Sequence, residues 1–152
     1  MKTPDALAVV AGDGEFYSEL DQGTDALGAY LRHHGVSLDD RVGVFMETCP
    51  EYVLASIGTP KAGAAFMPMV LESPDNLLRN IVAEARPKLV ITKDQHVSRV
   101  NQITEADILA IDGDQAWRAF KDEDPLPTLA CHVTATTLLL GRALPSHNCC
   151  HL

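Results

Sequence analysis

Leu20, Thr24, Leu27 and Leu31 recur at spacings of four, three and four, which lays one apolar stripe along a helix that Gly35 ends. Upstream, Ala8-Val9-Val10, Gly12-Asp13-Gly14 and Phe16-Tyr17 read as a small β-hairpin whose turn is supplied by Asp-Gly. The nearly unbroken apolar run Arg41–Met46 predicts a strand covered on both faces. Pro50 suits a first helical position, and Val53, Leu54 and Ile57 supply the expected buried face of the helix behind it. Pro60 falls where the last turn should run. A proline inside a regular helix costs about 3 kcal/mol, so a kink or an early end near Gly58 is expected.

The run Lys61-Ala62-Gly63-Ala64-Ala65-Phe66-Met67-Pro68-Met69 passes from a helix end straight into a short apolar strand. Lys61 favours the last turn, Gly63 supplies the left-handed residue that ends it, and Pro68 closes the strand by removing a donor. Ser73-Pro74-Asp75 predicts the next helix start, with a hydroxyl cap, a proline at the first position and an acid at the positive dipole end. Leu77, Leu78, Ile81, Val82 and Ala85 then repeat at helical period until Pro87. Lys88–Thr92 reads as a strand, a short helix follows near 95–104, and Ile108–Ile111 reads as a further strand. Strands and helices alternating over short joints imply an α/β fold: a parallel wound sheet (βαβαβαβ) with right-handed crossovers, preceded by a small β-hairpin and followed by an irregular C-terminal tail.

Composition narrows the class. With 46% apolar and 22% charged residues over 152 positions, the chain reads as a soluble globular protein. Its net charge of −9 argues against nucleic acid or an anionic membrane as partner. All 21 acidic residues and all but one of the 12 Lys and Arg lie in 1–124, whereas 125–152 holds a single charged side chain, Arg142. The expected division is therefore a globular part over 1–124 and a tail over 125–152 that is disordered or non-native, from a shifted frame, alternative splicing or a degraded gene. Leu126–Leu144 is apolar, but His132, its threonines, Gly141 and Arg142 argue against a membrane span. Lys2, Pro4 and Asp5 do not suit a signal peptide, and four cysteines without framework spacing suit a reduced, cytoplasmic location.

Candidate chemistry is sparse. Gly12-x-Gly14 lacks a third glycine, since Tyr17 holds that position, and precedes any βαβ unit, so it reads as a turn. Cys131, His132, His147, Cys149, Cys150 and His151 are zinc-type ligands, but their pairs lack the separations of structural zinc sites. His33 and His34 suit helix capping better than catalysis. Asp39-Asp40 and Asp122-Glu123-Asp124 suit solvated turns, and Asp112-Gly113-Asp114 lacks the remaining ligands of a calcium loop. Cys49 suits packing beside a helix start, with no histidine near it in sequence. No position is assigned as catalytic, cofactor-binding or metal-ligating.

From Thr3 to about Ile111 the chain resembles the start of the large domain of AMP-forming adenylating enzymes, which include acyl-CoA synthetases, luciferases and the adenylation domains of non-ribosomal peptide synthetases. The resemblance is carried by Thr3–Val10, Phe16-Tyr17-Ser18-Glu19-Leu20, Leu27–Leu31, Gly35-Val36, Asp40–Val44, Pro50-Glu51 and Lys61–Pro68, in order and at matching spacing. The opening, and Leu77-Leu78 after Pro74, look closer to amino-acid-activating members. Three departures stand out: Pro60, Val70-Leu71-Glu72 in place of Leu-Asp-Pro, and the missing Ser/Thr- and Gly-rich loop ending in Pro-Lys-Gly. Thr134-Ala135-Thr136-Thr137 has hydroxyls without adjacent glycines, and no lysine follows Lys121. A phosphate cradle needs close backbone approach and positive charge.

The resemblance implies ATP and magnesium as cofactors, and CoA or a carrier domain as thiol partner, for the full-length family only; for this chain it implies no cofactor and no inherited site residue. The expected function is that of a truncated fragment of an acyl- or aminoacyl-adenylate-forming ligase, inactive alone. The alternative is a non-catalytic interaction module or truncated isoform that associates with itself, or with the missing remainder of the domain, through its open sheet edge. An independent flavodoxin-like nucleotide binder ranks last, because Met46-Glu47-Thr48-Cys49-Pro50 has no glycine after the first strand of the sheet.

Overall fold

The computed structural model describes residues 7–9 and 15–112. The hairpin turn at Asp13-Gly14, the acidic run 122–124, the zinc-type residues and the tail over 125–152 lie outside the described residues. Strand β1 (Leu7–Val9) pairs antiparallel with β2 (Glu15–Phe16), as a hairpin requires. Helix α1 (Tyr17–His33) starts directly after it. At its end Gly35 takes φ 79°, its N–H bonds the carbonyl of Arg32 and the Val36 N–H bonds that of Leu31. That double bond pattern is a Schellman stop, and Val36 beneath it is buried.

Strands β3 (Arg41–Phe45), β4 (Ala65–Pro68), β5 (Leu89–Thr92) and β6 (Asp107–Ala110) form one parallel sheet in the order β4-β3-β5-β6. Helices α2 (Pro50–Lys61), α3 (Asp75–Ala85) and α4 (Asp94–Ile103) connect them. Alternation along the two central strands splits the core. Val42, Val44, Leu89 and Ile91 face α1 and α2, with Leu27, Leu31, Leu54 and Ala55. Phe45 and Val90 face α3 and α4, with Leu78, Val82, Val100 and Ile103. A sheet covered on both faces explains why β3 and β5 carry no polar alternation.

Expectations at two helices are corrected. Helix α2 does not end near Gly58 but runs to Lys61 with Pro60 inside it. Gly63 at φ 87° bonds the Pro60 carbonyl, and the Ala64 N–H bonds that of Thr59, so the proline sits in a Schellman stop where only one ladder bond is lost. The buried face of α2 is Leu54, Ala55, Gly58 and Thr59, whereas Ile57 is 38% exposed and Val53 half-buried. The rotation follows from close helix packing: a Cβ on Gly58 would lie 2.8 Å from Leu27 Cδ2, and one on Gly28 would lie 3.2 Å from Lys61 Cβ. The second correction is at α3, where Pro74 and not Ser73 is the cap residue and no side chain caps the helix. Arg99 holds the Ser73 carbonyl and the Asp75 carboxylate, and α3 starts from the Pro74 carbonyl, which accepts from the Leu77 and Leu78 N–H groups.

Candidate functional site at the carboxyl end of the sheet

The topology singles out one crevice. Strand β3 leaves through α2 to β4 on one side, while β5 leaves through α4 to β6 on the other, and α2 and α4 belong to cores on opposite faces. In wound α/β sheets ligands enter where such connections diverge, outside the carboxyl ends of the strands. The residues there come from Met46–Glu51 after β3, Lys93–His96 after β5 and Asp112 after β6.

Four polar contacts tie these exits together. Lys93 Nζ lies 3.3 Å from Glu51 Oε2, with side chains 18% and 16% exposed. Glu47 accepts from Gln95 Nε2 at 2.5 Å and meets His96 Nε2 at 3.1 Å. Asp112 Oδ2 accepts the Asp94 N–H at 2.6 Å, so a carboxylate from beyond β6 occupies the start of α4. The Glu47 carboxyl is held below its ordinary range by its own backbone N–H, against burial and with help from His96. Burial pushes Glu51 upward, yet its own N–H, the Cys49 thiol and Lys93 together keep it below the usual range. Burial pulls Lys93 down, but Cys49, ionised only at the high pH where Lys93 itself titrates, and the Glu51 carboxylate leave it raised.

These directions define the chemistry. Both carboxyls stay ionised and the ammonium stays charged at neutral pH, so these three groups form an ion-paired network with one net negative charge, in which neither carboxyl is a proton donor. Cys49 occupies the cap position of α2 without a side-chain cap bond, and its thiol lies 3.9 Å from Met46 Sδ. Burial first, and Glu51 second, push that thiol up, which opposes nucleophilic use. The packing role expected for Cys49 therefore holds.

The other residues singled out from sequence lie elsewhere. His33 ends α1, and the His34 ring stacks on Tyr30 at 3.8 Å while its Nδ1 meets the Tyr30 carbonyl at 2.9 Å, a helix-end contact as expected. Asp40 accepts the Ser37 N–H at 2.8 Å in a turn in which Asp39 takes φ 67°. Among the described residues no group of three or more His, Cys, Asp and Glu is placed to hold a metal ion. No helix among them is long and apolar enough to cross a membrane. An open concavity of about 420 Å³ between α3 and α4 lies at the opposite, amino end of the sheet, with Arg79, Arg86 and Glu105 around Val82 and Ile103.

Sequence reasoning did not single out Glu47, Glu51, Lys93, His96 or Arg99. The signal at two of them is position: Glu47 lies two residues beyond β3, and Lys93 directly follows β5. That signal becomes readable only once β3 and β5 are known to be neighbours.

The comparisons with known proteins agree with the fold. The family described as AMP-binding enzyme matches residues 1–137. Indigoidine synthase of Streptomyces lavendulae is 33% identical over 109 residues, which are 71% of this chain and 8% of that protein. Zwittermicin A synthase ZmaJ of Bacillus cereus is 34% identical over 113 residues, 74% of this chain and 22% of that protein. The chain thus spans less than a quarter of the length of these relatives. The crystal structure of the non-ribosomal peptide synthetase FmoA3 superposes with TM-score 0.72 at 30% identity, over 84% of this chain and 13% of that one. VinN with L-aspartate superposes with TM-score 0.75 at 26% identity, over 84% of this chain and 34% of that one. The chain belongs to the AMP-binding enzyme family, of which it carries the N-terminal portion of the adenylation domain.

Proposed function

We propose that the chain is the N-terminal scaffold of an ATP-dependent, AMP-forming ligase that activates a carboxylic or amino acid as its adenylate before transfer to a thiol, and that these 152 residues do not catalyse that reaction alone. The observation that carries the reading is the family match over 1–137 in a sequence whose matched part contains no Gly-rich loop ending in Pro-Lys-Gly. Adenylate formation depends on positioning and on stabilising phosphate charge. At the carboxyl end of the sheet, Lys93 and Arg99 are already engaged by Glu51 and Asp75. Solved relatives that hold AMP and glycine, or L-aspartate, favour amino acids as the substrate class of the whole protein. ATP and magnesium, and CoA or a carrier domain, belong to this reading of the full-length protein, in a cytoplasmic setting. ATP–pyrophosphate exchange with mixed carboxylic and amino acids should stay at the level of a blank, and clear turnover would overturn the proposal.

The second reading, a non-catalytic module that associates through its sheet edge, is favoured by one observation: among the described strands, β6 and β4 each pair on one side only. Unpaired edges template association. Size-exclusion chromatography at rising protein concentration distinguishes the two readings, since a monomer throughout removes the second.

A further inference from the structure

We infer that the concavity between the ends of α3 and α4 is a docking groove for an acidic, amphipathic helix of a partner protein. Arg79, Val82, Ala83 and Arg86 line it from the α3 side. One helix edge therefore presents a cation, an apolar pair and a second cation, with the cations seven positions and about 10 Å apart. Ile103 and Ala106 continue the apolar strip at the end of α4, and Glu105 is the one acid among the lining residues.

The fold itself gives Arg86 no task. Its guanidinium makes no hydrogen bond or ion pair among the described residues. Its backbone takes φ 48° at the left-handed stop of α3, where glycine is the low-cost residue and an arginine is strained. Nor do the negative ends of the two helices call for its charge. The Val82 carbonyl accepts the Arg86 N–H, that of Ala85 accepts from Arg41 Nη1, and that of Gln102 accepts from Arg79 Nε. The last of these bonds fixes Arg79 against α4, while its terminal nitrogens meet no carboxylate among the described residues. Lys61, Lys93 and Arg99, by contrast, each hold one. In a chain of net charge −9, two arginines left without acids above an apolar floor complement a partner with the pattern acid, apolar, acid. A helix supplies that pattern on one face, with acids seven positions apart and apolar residues between them. An extended segment does not, because about 10 Å is three residues of strand and turns its two acids to opposite faces. The groove stands whether or not the ligase reading holds.

An NMR titration of the full chain with a synthetic helical peptide of about 15 residues tests this. The peptide carries two Glu seven positions apart, a Leu pair midway between them and alanine elsewhere. Amide shifts should concentrate at 79–87 and 103–106. Arg86→Gly and Arg79→Gln should each weaken binding about two- to fivefold, and a peptide with Lys in place of both Glu should bind more weakly still. Arg86→Gly should at the same time raise the urea midpoint, since glycine relieves the left-handed position; an arginine kept for structure alone would not weaken binding while its loss stabilises the fold. Absent or scattered shifts, an affinity unchanged in both arginine variants, or a lowered midpoint in Arg86→Gly overturns the groove. So does an equal response to free glutarate, which marks a simple anion site.

Discussion

At the scale of single residues, the α1–α2 contact is set by what is missing. Gly58 lets Leu27 approach so closely that an added Cβ would also sit 3.1 Å from Leu27 Cβ and Cγ. Gly58→Ala should therefore destabilise the fold by about 1–2 kcal/mol, overpacking outweighing the roughly 1 kcal/mol that alanine returns as helix propensity. The urea midpoint measures this, and an unchanged or raised midpoint would refute the close contact. One residue along, Thr59 is fully buried and its Oγ1 has no hydrogen-bond partner among the described residues. Thr59→Val keeps the shape and removes the unsatisfied hydroxyl, so it should stabilise by about 1 kcal/mol in the same assay. Neither position announces itself in the sequence. Glycine and threonine in a helix read as weak helix formers, and only the identity of the facing residue on α1 turns them into packing residues. By contrast Gly35 and Gly63 were readable, because a left-handed helix stop is a local requirement of the chain itself.

At the scale of elements, charge pairs fasten helices to each other and to loops. Lys61 at the end of α2 reaches Asp21 and Asp25 on α1 at 2.7 and 2.6 Å, and Arg32 on α1 donates to the carbonyls of Lys61 and Ala62. Lys61 is pulled down by burial but raised overall by its two acids. Arg99 on α4 donates to Asp75 and to the carbonyls of Leu71 and Ser73, fixing the β4–α3 loop. The pH limits follow with their signs. Glu47 and Glu51 are lowered on folding, so they stabilise above their ordinary value of 4.5 and lose that contribution as pH falls through their folded values. Lys61 and Lys93 are raised, so their contribution is complete below 10.5 and is lost only as pH climbs beyond it. Stability from these four groups should be level between those limits and fall below about pH 4.5, as urea midpoints across the acid range would show. Glu51→Gln should make that acid limb shallower; an unchanged limb would contradict the assignment. The helices and strands themselves were visible as periodicity, but these fastenings join residues that are far apart in sequence, so no local pattern carries them.

At the scale of the whole molecule, the two cores share their strands. Val42 and Val44 belong to one core and Phe45 to the other, while Leu89 and Ile91 alternate with Val90 in the same way. Thr92, buried at the end of β5, donates its hydroxyl to the Phe45 carbonyl at 2.6 Å, so the two central strands are joined by a side chain as well as by their ladder. The parallel order was inferable from alternating elements, because each crossover helix must cover a face, but the reversal that places β5 beside β3 was not. Shared strands make the two faces thermodynamically inseparable: loss of one exposes the apolar side of strands that the other still needs. Leu27→Ala on α1 and Leu78→Ala on α3 remove fully buried side chains from opposite faces, and each should cost about 3 kcal/mol. Each should also lower the opening free energy of the slowest-exchanging amides in both β3 and β5 by the same amount, as befits one cooperative unit. If Leu78→Ala weakened protection around α3 and α4 while amides of α1 and α2 kept theirs, the faces would be separate folding units and the shared-strand account would fail.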